Sequence, residues 1–373
     1  MAVAVAQDRS LTFFGQGRSY GDVALNDGGT VLRTHDLNRF IEADWTTGKI
    51  RAEAGMTTDQ LLRASVPRGW FVPVTPGTKF VSLGGAVAND VHGKNHHAVG
   101  SFGAHVSALG LVRSDGEMMT LSREQNADLF GLTISGLGLT GFISWVELQL
   151  IPITSPFMAV ENVKMKNLDA FYELSAASEN WPYCVAWVDC FATGASLGRG
   201  VFTRARHSAQ VQALETHSTD AKLTWRTESP SWMLNKASIS AFNAAYRNRP
   251  GASLCGDQHY GGFFYPLDGI SQWNRMYGRQ GFFQHQCVVP KDVAPNAIRE
   301  LLDRIAEAGQ GSFLAVLKQH AQETSPGRNS FCMDGTSLAL DFANKGASTL
   351  ALLSDLDRIV LKYEGRMYPA KDG

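Results

Sequence analysis

The sequence predicts an α+β protein of two domains, and three observations carry that expectation. The chain has 373 residues, more than one ordinary core holds. Its texture changes near Ile153, from short apolar runs between glycine-rich turns to longer elements. Its 37 glycines are denser before Ile153, where they cluster in tight loops rather than flexible linkers, than after it.

From Leu11 to Ile153 the runs LTFF, VLRT, KIRAEAG, WFVPV, SALGLV and GFISWVELQLIPI read as strands. Thr57 or Thr58 caps a helix over DQLLRAS, which Pro67 and Gly69 end. Beyond Ile153 a helix is expected over Ala294 to Ala308, with strands around CVVP and SFLAVLK. The polar stretch RHSAQVQALETHSTDAK is expected to be a poorly ordered surface excursion or helix.

Composition excludes several classes. With a net charge of -1 and 18% charged residues the chain lacks the basic stripe that phosphate-backbone binding demands, so nucleic acid is not a partner. The longest apolar stretch, Leu137 to Ile153, contains Glu147 and Gln149, so no transmembrane segment is expected. MAVAVAQDRS has neither a basic start nor a long apolar core and reads as the start of a strand or helix, not a signal peptide. The odd number of cysteines, Cys184, Cys190, Cys255, Cys287 and Cys332, without a C-x-x-C, fits packing residues in a reducing compartment.

GLGLTG, Gly136 to Gly141, matches the nicotinamide-dinucleotide fingerprint letter for letter. Its context is reversed, with a helix-like DLFGLTIS before it and a strand after it, so an NAD-linked dehydrogenase is not expected. GQGRSYGD, Gly15 to Asp22, suits an anion nest in which Arg18, Ser19 and Tyr20 add donors. PGT at Pro76 to Thr78 and SLGGAVANDVHGKNHHAVGSFG suit a loop and short helix folded around a planar ligand, with the helix start facing its pyrophosphate. His92, His96 and His97 lack a carboxylate at ligand spacing, so no metal is expected. Lys94 serves an anionic substrate or the reduced cofactor. Together the glycine loops point to one large dinucleotide, read as FAD.

GQGRSYGD, TPGTKFVSLGGAVANDVHGKNHHAVGSFG and GLGLTGFI resemble the FAD-binding domain of the vanillyl-alcohol-oxidase/p-cresol-methylhydroxylase (PCMH) superfamily. HGKNHH, QWNRMYG, GFFQHQCVVP, SFLAVLK and YPAKD are similar to its decaprenylphosphoryl-β-D-ribose 2'-oxidase family, across nearly the whole chain. The resemblance implies a PCMH-type FAD-binding domain over 1–153, with noncovalent FAD between two α/β subdomains. It implies a substrate domain on an antiparallel sheet over 154–359 and a return segment to the flavin site over 360–373. The family continues beyond YPAKDG, so this chain is expected to be a short form or a fragment.

The implied flavin contacts are Gly15, Gly17, Arg18, Ser19, Tyr20, Gly77, Ser82, Leu83, Gly84, Gly85, Asn89, His92, Ile143 and Tyr368. The implied substrate set is Lys94, Gln286, Lys318 and Lys371, beside Tyr20, with Lys371 and Lys94 as the catalytic candidates. The implied reaction oxidises the ribose 2'-hydroxyl of a polyprenylphosphoryl sugar to a ketone, the first half of an epimerisation to arabinose. A separate NADH-dependent short-chain reductase would complete it. A lipid substrate implies a cytoplasmic or peripherally membrane-associated enzyme. Two departures stand out: Ala339 replaces a family cysteine and Ser337 an asparagine. Rival readings are an aldonolactone or carbohydrate oxidase of the same superfamily, and a flavin-binding paralogue without turnover.

Overall fold

The computed structural model describes residues 10–214 and 221–371. The opening MAVAVAQDR and the ETHSTD portion of the polar excursion lie outside the described residues. Strand β1 (Leu11–Phe14) pairs in parallel with β2 (Thr30–Arg33). The first large sheet has five antiparallel strands in the order β3 (Phe40–Asp44), β4 (Lys49–Glu53), β7 (Phe142–Gln149), β5 (Val106–Val112) and β6 (Met118–Ser122). The two α/β subdomains implied for FAD are thus, among the described residues, a two-stranded parallel pair and an antiparallel sheet.

Alternation decides which face of that sheet is buried. Ile50 and Ala52 of β4 and Val146 and Leu148 of β7 enter the core. The neighbouring positions are polar, and Arg51 stands opposite Glu147 in register. Glu147 takes Arg51 Nη2 at 2.6 Å and Lys49 Nζ at 2.8 Å, so the polar face is clamped across two strands.

Helix α1 (Thr58–Ser65) starts where the sequence places it. Thr57 Oγ1 accepts the Gln60 amide and Gln60 Oε1 accepts the Thr57 amide, a reciprocal cap. Leu61 and Leu62 pack into the core, and Gly69 in the left-handed region ends the following turn. GLGLTG joins helix α3 (Ala127–Thr133) to β7 as a turn, with φ of 53° at Leu137 and 79° at Gly138. No helix follows it, which removes the dinucleotide-fingerprint reading.

The second sheet has eight strands, all antiparallel. Their order is β11 (Cys255–His259), β8 (Phe157–Met165), β10 (Gly200–His207), β9 (Tyr183–Val188), β13 (Ala315–His320), β14 (Gly335–Ala343), β12 (Phe282–Pro290) and β15 (Arg366–Met367). One face is covered by α4 (Leu168–Ala176), α5 (Ala294–Ala308) and α6 (Ala347–Lys362), through Phe171, Leu301, Ile305, Leu352 and Leu356. The opposite face joins the first core at Met158, Val160 and Tyr183 and then opens into a cavity.

Helix α5 has the bounds its apolar spacing predicts, with Pro in its first turn and Gly309 at its end. Four of the cysteines are buried, but Cys255 is exposed because β11 is an edge strand, so the packing role fails there. From Ser208 to Leu214 the polar stretch forms neither helix nor strand. Among the described residues no helix is long and apolar enough to cross a membrane.

Candidate active site

The cavity lies between the glycine loops of the first part and the open face of the eight-stranded sheet, and measures about 770 Å³. One wall is the loop after β1, with Gly15, Gly17, Arg18, Ser19 and Tyr20, together with Gly77. Behind these come Ser82, Gly84, Gly85, Asn89, His92, Lys94 and Ile143. The facing wall carries Gln286, Lys318, Tyr368 and Lys371.

Leu83 is the exception among the expected residues. Its side chain is fully buried in the core, and its amide donates to Met56 O. The neighbouring Gly84 amide donates to Ala54 O and the Gly85 amide to Ser82 Oγ. The start of helix α2 (Leu83–Ala88) therefore has its donors taken within the fold and does not face an anion.

The return segment stitches the two walls together. Tyr20 donates its amide to Ala370 O at 3.0 Å, and Tyr368 donates its amide to Gln286 O at 2.9 Å. The Tyr368 hydroxyl donates to Asn89 O at 3.1 Å. Lys371 Nζ sits 4.1 Å from the centre of the Tyr20 ring, a cation–π contact.

Period-two alternation sets the sheet wall. Gln284 and Gln286 of β12 face the cavity, while His285 between them points to the helices and meets Asp357 at 3.1 Å. Gln286 stands opposite Ala339, which stands opposite Val316, so three strands write one row of the wall. Ser337, on the same face as Ala339 and opposite Lys318, does not line the cavity; its hydroxyl meets His320 Nε2 at 2.8 Å.

Charge is distributed unusually. Lys94 and Lys318 are both half-buried in the cavity wall, and among the described residues neither is in an ion pair with a carboxylate. Burial, helped by the charge of Lys318, lowers the Lys94 pKa to about 7. Burial lowers Lys318 to about 8. Lys94 donates to Phe263 O and lies 4.5 Å from the Phe263 ring centre. Lys318 Nζ lies 3.2 Å from Nδ1 of His92, and the Gln286 amide lies 2.7 Å from Nε2 of that ring. Burial first, then the charges of Lys318 and its neighbours, keep His92 neutral.

The residues fit a flavin dinucleotide. Among the described residues the amides of Gly17, Arg18 and Ser19 find no backbone acceptor, which leaves donors on the cavity wall for a pyrophosphate. Buried Asn89 Oδ1 on the same wall has no partner. A side chain at Gly77 would project into open space, room that a planar ligand can use.

Residues 1–122 match the profile of an FAD binding domain. The chain is 35% identical to decaprenylphosphoryl-β-D-ribose oxidase of Mycolicibacterium smegmatis over 378 residues, covering 98% of this chain and 81% of the relative. It belongs to the decaprenylphosphoryl-β-D-ribose oxidase family. An uncharacterized Streptomyces coelicolor protein is 30% identical, covering 85% of this chain and 89% of that protein. Mouse L-gulonolactone oxidase is 27% identical over 47% of this chain and 40% of its own length. As a member of this oxidase family, the chain is an FAD-dependent oxidoreductase.

The structure adds wall residues that sequence reasoning did not single out: Gln284, Asp341, Asp268 and Trp273. Gln284 was reachable, since it stands two residues before Gln286 on one strand. Asp341 shares its face with Ala339 and accepts from the Gln284 amide. Asp268 accepts the Lys79 amide at 2.9 Å, a contact across 189 residues that no local pattern announces.

Proposed function

We propose that this oxidase acts on a glycosyl phosphate, oxidising the 2'-hydroxyl of a polyprenylphosphoryl-β-D-ribose to a ketone. The observation that carries this reading is the pair of half-buried, desolvated lysines, Lys94 and Lys318, on a cavity wall without carboxylate partners among the described residues. A desolvated ammonium is costly unless an anion meets it, and a phosphodiester supplies one. A neutral lactone would not, which separates this reading from the aldonolactone oxidases. The name of the Mycolicibacterium relative supports the ribose.

Dehydrogenation of a carbinol removes a hydride and a proton. When bound, FAD supplies the hydride acceptor. Gly15, Gly17, Arg18, Ser19, Tyr20, Gly77, Ser82, Gly84, Gly85, Asn89, Ile143 and Tyr368 would hold it. Lys318 would hold the substrate anion, with His92 accepting one of its protons and fixing its direction. The Gln286 and Gln284 amides offer donors and acceptors to the sugar hydroxyls. Lys371, held over Tyr20, would stabilise the developing alkoxide and receive the hydroxyl proton when unprotonated. The ketone would then pass to an NADH-dependent reductase of the short-chain class, and the lipid tail would bring the enzyme to a membrane surface.

The test is the flavin spectrum of the purified chain under anaerobic conditions as polyprenylphosphoryl-β-D-ribose is added. Bleaching of the flavin bands is the expected result. Bands that persist with the substrate bound would point to a paralogue without turnover, and bleaching by a soluble aldonolactone instead would replace the substrate assignment.

A further inference from the structure

The spacing of His92, His96 and His97 offers no nearby carboxylate, yet the fold supplies other donors. Strand β13 and the loops after it bring His320, Glu323 and Cys332 beside two of these histidines. One donor atom each of His92, His320 and Cys332 lies within 4.8 Å of the others. The same holds for His96, Glu323 and Cys332, so the thiol is the shared corner of two triads. His97 stands apart, with its Nε2 2.8 Å from Trp181 O.

The cluster is buried and incompletely satisfied. His92, His96, His320 and Cys332 are each at most 6% exposed. Nδ1 of His96 and Nδ1 of His320 have no hydrogen-bond partner. A buried ring nitrogen left unpaired calls for an explanation, and two in one cluster beside a thiol have a common one. Imidazole and thiolate together suit a borderline-soft d10 ion in a compact, low-coordinate site.

We propose that Cys332, His320 and His92 form a binding site for a Zn2+-type ion, with the Glu323–His96 pair beside it. Ligation forms a metal–sulfur bond and releases the thiol proton to solvent. The thiolate and the Glu323 carboxylate together offset the dication, which is what a buried site requires. Both ring nitrogens of His92 already have partners, Lys318 at Nδ1 and Gln286 at Nε2, so uptake displaces one of these two contacts. The site is thereby coupled to the cavity wall rather than purely structural.

The experiment uses the FAD-loaded chain, stripped with a chelator and equilibrated by dialysis against Zn2+ alone. One ion per chain is expected, with affinity at least tenfold weaker in Cys332→Ala and in His320→Phe, and unchanged in His97→Phe. Retained flavin absorbance verifies the fold of each variant. Co2+ in place of Zn2+ gives a second reading on the unaltered protein, as intense ligand-field bands at longer wavelength than the flavin. No stoichiometric uptake, uptake indifferent to Cys332 and His320, or weak six-coordinate Co2+ bands would each overturn the proposal.

Discussion

Lys318 Nζ stands 3.2 Å from Nδ1 of a His92 ring whose other nitrogen lies 2.7 Å from the Gln286 amide. A neutral imidazole accepts at one nitrogen and donates at the other. Gln286 Nε2 and Lys318 Nζ each face one nitrogen of the ring, and its tautomer sets which of the two donates to it. The ring thus locks a cation and an amide in fixed directions at the cavity wall.

Replacing that cation isolates its role. Lys318→Gln is expected to weaken binding of the glycosyl phosphate by ~10- to 100-fold, the size of a charge-assisted hydrogen bond, ~1.5–3 kcal/mol. Flavin absorbance should be unchanged. Titration of the oxidised protein, followed by the perturbation of its flavin bands, measures the loss.

The depressed lysines set opposite pH trends for stability and for binding. Folded Lys94 and Lys318 lose protons near pH 7 and 8, whereas their ordinary value is 10.5. Above these values the unfolded chain holds more protons, so the stability of the folded chain rises as pH climbs from about 7 toward 10.5. Anion binding needs the ammonium forms, so affinity falls as pH rises through 7 to 8. Calorimetry near pH 8 in two buffers of different ionisation enthalpy should record proton uptake on binding.

Lys371→Ala should leave FAD bound yet abolish flavin reduction by substrate in a single anaerobic turnover. Restoration by an added primary amine would assign the loss to proton handling. Unchanged reduction by the variant would remove Lys371 from the mechanism.

Gly84 tests the cradle itself. A side-chain carbon there would lie 2.9 Å from Ala54 Cβ and 3.2 Å from Ala54 O, so α2 must move off the turn that follows β4. Gly84→Ala is expected to lower Tm and to release FAD on gel filtration, with ~1–3 kcal/mol lost. Gly77→Ala, which meets nothing in the protein, should lose FAD without lowering Tm of the flavin-free chain.

Glu147 bears on acid stability. Burial alone would raise its pKa, but hydrogen bonds from Lys49, Ser107 and Arg51 outweigh that and hold it at about 2. A carboxylate lowered in the folded state stabilises above its unfolded value and loses that contribution as pH falls toward 2. Glu147→Gln should therefore lower stability at neutral pH by ~1 kcal/mol, with the gap closing in acid. Urea melts at pH 7 and pH 3 distinguish the two.

Local signals carried much of this molecule. The Thr57–Gln60 cap, the apolar spacing of Ala294 to Ala308 and the loop from Gly15 to Tyr20 each act within a few residues, so a linear reading finds them. Leu83 misled because a glycine-rich helix start resembles a free anion site until Met56 and Ala54 are seen to take its donors. Asp268, Glu323 and Cys332 were silent for another reason: their partners, such as Lys79 for Asp268 and His96 for Glu323, stand far away in sequence and meet them only in the folded chain. The row Gln286, Ala339, Val316 lies between these cases, legible within each strand but not across them.

That row has an evolutionary consequence. Because cavity-facing and helix-facing side chains alternate along the same strands, substitutions at Ala339 or Val316 can reshape what the enzyme accepts while Leu338, Leu317 and Cys287 keep the scaffold intact. Neighbours in the row share one space, so their changes will compound rather than add. Divergence toward new sugars can therefore proceed by paired replacements across adjacent strands, with the flavin loops left untouched.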